Sequence, residues 1–246
     1  MRRMLDWWQR WCELRTRARA VLSMNQRNLR FIYPYNPRRH FPLADDKLRT
    51  KELMREVGVP VPATYRTYSY FYELQHLESD LSAHADFVIK PSKGSGGGGI
   101  VVIAGRQGPY WAGPGGRRYA VDALRKHISD VIFGVYSFDL ADSAIVEERV
   151  RQHAEMSVLS PFGLADVRVI LFQDEPMSAM TRVPTRASDG RANLHQGAVG
   201  IGIDLATGIT AHAILHNEPV ETHPDTGEPL LGRALPFWDE VLRVAR

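Results

Sequence analysis

The chain has 246 residues, 44% of them hydrophobic, 24% charged and 9% aromatic, enough apolar sequence for one large domain or two small lobes. No apolar run approaches the roughly 20 residues of a membrane-spanning helix, and no signal-peptide core follows the arginines of MRRMLDWWQR, so neither a transmembrane nor a secreted protein is expected. The single cysteine, Cys12, excludes an internal disulfide and points to a reducing cytosol, hence a cytoplasmic protein.

The net charge of +3 is unevenly spread. Up to Arg39 there are ten arginines against Asp6 and Glu13 alone, a local excess of +8 that leaves the remainder at −5. Residues 1–40 therefore read as a basic arm. Within it Met4, Trp7, Trp8, Trp11, Leu14, Ala18 and Val21 recur at three- and four-residue steps, which predicts an amphipathic helix from about Met4 to Leu22. The preferred reading packs its apolar stripe on the main domain or a partner subunit. An interfacial helix on an anionic membrane surface is the alternative. Nucleic acid is not an expected partner, because base-stacking and groove-reading motifs are missing.

Phe31 to Leu43, rich in proline and aromatics, reads as an extended entry segment. The stretch DDKLRTKELMREVGVPVP then predicts a helix, capped by Asp45 or Asp46 and stopped by Gly58. A strand and a second helix are expected between Ala63 and Leu81. FVIKP (Phe87 to Pro91) and IVVI (Ile100 to Ile103) are β-prone runs with a glycine loop between them, a hairpin with a long tip. Ser143 to Val150 and Asp166 to Phe172 read as strands, EPMSAMTRV pairs with the latter, GAVGIGIDL and ITAHAILH are further strands, and FWDEVLRVAR closes the chain as a helix. Without strict βαβ alternation the fold class is α+β.

The loop KPSKGSGGGG spans Lys90 to Gly99. Gly94, Gly96 and Gly99 satisfy G-x-G-x-x-G, but a dinucleotide fold needs a helix after the glycines, and here a strand follows. A Walker loop carries its lysine at the end, and a protein kinase needs HRD and DFG segments that this chain lacks. A linker does not suit two adjacent strands. Glycines let backbone amides approach phosphate oxygens, and Lys90 and Lys93 add charge, so a nucleotide-covering flap is the preferred reading.

Five motifs in order, D-K-x-x-x-K with G-V-P-V-P, F-V-I-K-P with its glycine loop, V-E-E-R-V, D-V-R, and N-L-H-Q-G-A, resemble an ATP-grasp ligase of the α-L-glutamate ligase-like or sugar-transfer-associated branch, from roughly Asn28 onward. The resemblance implies two α+β lobes with ATP between them, an N-terminal lobe at 41–146 carrying the flap and a C-terminal lobe at 147–246. It implies that Lys47 contacts the phosphates and that Lys90 reaches the α-phosphate and the adenine edge. Ser95, Gly96 and Gly97 would cover the β- and γ-phosphates. Glu147, Glu148 and the backbone at Val150 match the adenine hinge, and Glu155 the ribose partner. Arg168 matches the arginine that steadies the γ-phosphate and acyl phosphate, and Asn193 the asparagine near the transferring group.

ATP and Mg2+ are the cofactors this likeness implies, and a carboxylate and an amine, as small molecules or peptides, the substrates. The expected activity is an ATP-dependent carboxylate–amine ligase working through an acyl phosphate. The usual magnesium ligands, an acidic residue on one strand and Glu-x-Asn on the next, are not found: Asp204 reads as a turn into Gly208, and Asn217-Glu218 has the wrong order. No metal ligand is therefore assigned. A truncated form is the preferred explanation, and a catalytically impaired ATP-binding module the alternative; an ATP-grasp phosphotransferase is a third reading. His195, His212, His216 and His223 match no zinc spacing and read as structural or surface residues. The stretch His223 to Gly232 has turn chemistry and reads as a substrate-side loop.

Overall fold

The computed structural model describes Trp11, Leu14, Arg15 and residues 21–246, so the helix expected from Met4 to Leu22 lies almost wholly outside the described residues. The chain divides into two compact units, Met1–Leu53 and Met54–Arg246.

In the first unit Ser23 opens a helical turn over Met24–Arg27 with a capping box: its Oγ accepts from the Gln26 amide at 3.3 Å, and the Gln26 Oε1 accepts from the Ser23 amide at 3.2 Å. A π-helical turn (Asn28–Ile32) and a helical turn (Tyr33–Tyr35) continue it. A 3₁₀ turn (Arg38–His40) and a short helix (Phe41–Asp45) follow. The extended segment expected here is thus replaced by consecutive helical turns. The reason is the position of its prolines: Pro34 and Pro42 stand at the first turn of their helices, where a missing N–H costs nothing.

Helix α1 (Lys47–Glu56) has the expected ends. The Asp46 Oδ1 accepts from the Leu48 amide at 3.0 Å, and beyond the last turn Gly58 adopts φ 74°, with the Val59 amide donating to the Met54 carbonyl at 2.8 Å.

In the second unit β1 (Thr64–Tyr68), a 3₁₀ segment (Phe71–His76) and α2 (Leu77–Ser82) precede β2 (Phe87–Pro91) and β3 (Val101–Ile103). A small sheet of β4 (Gly105–Gln107), β5 (Tyr110–Ala112) and β6 (Arg118–Tyr119) leads to α3 (Val121–Ile132) and β7 (Ala144–Glu147). The sheet order is β1-β7-β2-β3, antiparallel throughout. Its inner face contributes Tyr68, Phe87, Ile89, Ala144 and Val146 to a core closed by Leu124, Ile128 and Val131 of α3, by Leu77 and Leu81 of α2, and by Trp111. Leu124, Ile128 and Val131 stand at i, i+4 and i+7, one stripe of a helix. Burying each such side chain is worth about 1.5–3 kcal/mol.

Beyond it α4 (Ala154–Leu159), β8 (Asp166–Phe172), β9 (Glu175–Val183), β10 (Val199–Ile203), β11 (Thr210–Leu215), β12 (Glu218–Pro219) and α5 (Trp238–Ala245) form a second layer. Its sheet runs β12-β11-β10-β9-β8, again antiparallel. In VGIGI of β10 the alternation sends Val199, Ile201 and Ile203 into a second core, with Val183, Leu159, Leu230 and Trp238, and the two glycines to the opposite face. The Trp238 indole N–H donates to the Leu205 carbonyl at 3.0 Å, and its ring lies where any side chain at Gly208 would stand. The protein is α+β, with the strands from β8 to β11 as expected. β7 ends at Glu147, before the Val150 end expected for it: Glu147 is its last residue paired with Thr64 of β1 and Val88 of β2, and beyond it Arg149 and Arg151 lie 3.8 and 2.9 Å from Asp86.

Candidate functional site

The glycine loop is the tip of the hairpin expected from the sequence, with Phe87 opposite Ile103 and Ile89 opposite Val101. Its entry is fixed by the buried carboxylate of Asp142, which accepts from the Lys93 amide at 3.0 Å to each oxygen, from the Ser143 amide at 2.7 Å and from the Ser137 hydroxyl. The Lys93 ammonium donates to the Ala141 carbonyl at 3.0 Å, so this lysine fastens the base of the loop. Ser95 and Gly96 are exposed. The Gly96 carbonyl accepts from the side-chain amide of Asn193, 3.4 Å away, and a side chain at Gly97 would meet the Arg191 stem at 3.7 Å. The hairpin of the first layer and the turn before β10 therefore touch at this tip.

Lys90 and Glu147 share the outer face of the first sheet and form an ion pair, with side chains 19% and 6% exposed. Adjacent glutamates face opposite ways, as strand geometry requires. Glu148 is exposed and continues the sheet edge: its amide donates to the Ala63 carbonyl at 2.8 Å, and its Oε2 accepts from the Ala63 amide at 3.1 Å. Val150 is exposed, and Glu155 is exposed in the first turn of α4.

The outer face of the second sheet carries Arg168, which is exposed and lies opposite Met180. Next to it Arg182 grips Asp166 through two hydrogen bonds, one from Nε at 2.8 Å, which fixes the neighbouring pair of that face. Opposite Met180 on the far side lies Gly202, over which the His212 imidazole is laid so closely that a Cβ there would stand 2.2 Å from the ring. Asn193 begins a 3₁₀ turn (Leu194–Gln196), its Oδ1 accepting from the His195 amide at 3.1 Å. The loop before it is buttressed by the stretch from His223 to Gly232. Asp225 Oδ2 accepts from the Arg186 amide at 2.9 Å, and the buried His223 meets the Pro184 carbonyl through Nε2 at 3.3 Å.

Of the residues singled out in the sequence, the structure joins Lys90 to Glu147 and Gly96 to Asn193. It puts Arg168 on the outer face of the other sheet, and Lys47 at the first residue of α1, in the N-terminal unit. Arg191, Asp142 and Arg182 escaped the sequence reading. Arg191 alone carried a usable signal, standing two residues before Asn193; the partners of Asp142 and Arg182 come from other strands and loops.

Among the described residues no three His, Cys, Asp or Glu side chains converge as a metal site. Asp204 spends its carboxylate on Thr207, accepting from the amide at 2.9 Å and the hydroxyl at 2.8 Å, and these bonds hold its pKa below the ordinary value. The described residues thus do not fit a protein-built magnesium cage. None of their helices is long and apolar enough to cross a membrane.

An α+β chain with a glycine-tipped hairpin over a paired lysine, touching a second antiparallel sheet, has the features of an ATP-grasp protein. Residues 26–246 match the family model described as sugar-transfer associated ATP-grasp, and the chain belongs to that family. Membership supports nucleotide binding and an enzymatic, ATP-dependent role. No curated protein matches the chain.

Proposed function

We propose that the protein is an ATP-dependent carboxylate–amine ligase acting through an acyl phosphate, with lobes at 41–146 and 147–246, working in the cytoplasm where ATP is available. The contact between Gly96 and Asn193 carries this reading, because it brings the loop suited to phosphates to the residue expected at the transferring group.

In this reading Lys90, held upright by Glu147, reaches the α-phosphate, and the amides of Ser95, Gly96 and Gly97 cover the β- and γ-phosphates. Glu148 and the backbone at Val150 border the adenine, and Glu155 meets the ribose. A substrate carboxylate oxygen attacks the γ-phosphorus and ADP departs; Arg168 offsets the charge that builds on the transferring group. An amine then attacks the acyl carbon, phosphate leaves, and the amine gives up a proton as the amide forms. Closure of the loop keeps water from the acyl phosphate. Magnesium would travel with the nucleotide as its counter-ion.

The test is product analysis with ATP and mixtures of acids and amines. ADP, phosphate and an amide are expected together, and Arg168→Ala should lower kcat by about 10²-fold while leaving ATP binding within a few fold. A stable phosphorylated product would assign a phosphotransferase instead. ATP binding with no turnover for any acid–amine pair would leave a nucleotide-binding module.

A further inference from the structure

We propose that Asp142, His127 and Tyr136 are positioning residues that clamp both ends of the glycine loop to one segment, leaving residues 95–98 as the part that moves over the phosphates. The inference rests on the nucleotide reading above and adds to it where the flap bends. At the entry, Asp142 holds the Lys93 amide, and a Cβ at Gly94 would stand 2.4 Å from the Pro91 ring, so strand and loop meet there at a fixed angle. At the exit, Gly99 adopts φ 73° and lies against the Tyr136 ring, whose atoms would be 2.6 to 3.1 Å from any Cβ. The Gly99 carbonyl can only accept, so the His127 Nε2 at 2.9 Å must carry its hydrogen. In the neutral ring Nδ1 is then an acceptor, and the Tyr136 hydroxyl lies 3.4 Å from it.

The two anchors have one origin. His127 lies on α3, Tyr136 just beyond it and packed against the first core, and Asp142 two residues before β7. Between the anchors, the bonds among the described residues are lighter: a backbone bond from the Gly98 amide to the Ser95 carbonyl at 3.1 Å, and the long contact from Asn193 to the Gly96 carbonyl at 3.4 Å. Glycine at position 99 thus answers to two demands at once, a left-handed backbone and an aromatic ring in place of a side chain.

The experiment uses the full chain. In ligand-free protein, His127→Ala and Tyr136→Ala should each raise hydrogen exchange at the amides of residues 95–99 about tenfold, with the β2 and β7 amides unchanged. Affinity scales with the fraction of time the loop is ordered, so ATP affinity should fall, by at most that tenfold factor, while AMP affinity stays at the wild-type value. His127→Gln, whose side-chain amide can still donate, should restore most of both effects and serves as the test should the alanine variants fail to fold. Wild-type loop exchange in both alanine variants would overturn the clamp, as would equal weakening of ATP and AMP. Failure of the wild-type chain to bind ATP would instead overturn the nucleotide reading, and the exchange data would still decide the clamp.

Discussion

Lys90 and Glu147 illustrate what a short pattern discloses and what it withholds. The lysine of F-V-I-K-P and the glutamates of V-E-E-R-V could be picked out as chemistry-bearing residues, but their direct pairing depends on strand register, which no local pattern states. Asp142, His127 and Tyr136 were illegible for the same reason: each acts on a loop at least 28 residues away through contacts made only in three dimensions. Because the glutamate is almost fully buried, Glu147→Gln should lower stability by about 3–5 kcal/mol in urea unfolding. A Lys90→Met/Glu147→Leu double variant should regain most of that and still bind ATP poorly. Burial holds the pKa of His127 below its ordinary value of 6.5. As the pH falls below about 6.5, the unfolded chain takes up a proton that the folded one resists, so this residue's contribution is lost on acidification and complete above that pH. Urea unfolding of wild type and His127→Asn between about pH 5 and pH 7.5 should therefore differ in slope at the acid end and run parallel above neutrality.

Elements were more legible than residues. The glycine-tipped hairpin and the glycine-stopped helix α1 could be read because glycine and a capping aspartate act locally. The small β4–β6 sheet and α3 were not anticipated at all. Each strand of that sheet has only two or three residues, too few for an alternation to register. The pairing of β8 with β9 was legible, but the turn chemistry of two hairpin loops was not. Gln173-Asp174 joins β8 to β9 and His216-Asn217 joins β11 to β12, both residues of each loop with positive φ. Their strand twist calls for type I′ turns, which favour Asn-Gly, and neither pair advertises one. Replacing Asp174, at φ 66°, by glycine should therefore raise stability by about 0.5–1 kcal/mol, read as a shift in the urea midpoint with the slope unchanged.

At the scale of the whole molecule, two antiparallel sheets each bury one face in a core of their own and are brought together at a glycine tip and an asparagine. The α+β class was legible because strand and helix signals mix without βαβ alternation, whereas the contact between the layers was not. Ligand linkage follows from that arrangement: ATP at about a hundred times its dissociation constant should raise the unfolding free energy by about 2.7 kcal/mol, measured as a thermal shift that grows with nucleotide concentration. AMP, lacking the phosphates the tip would cover, should give a smaller shift at equal concentration. Finally, each core owns a single indole, Trp111 in the first and Trp238 in the second, while the remaining three lie in the basic arm. Exchanging those three for phenylalanine would leave one native fluorophore per half. Quenching either of the two in turn would then report whether the halves melt together or one after the other, without any added dye.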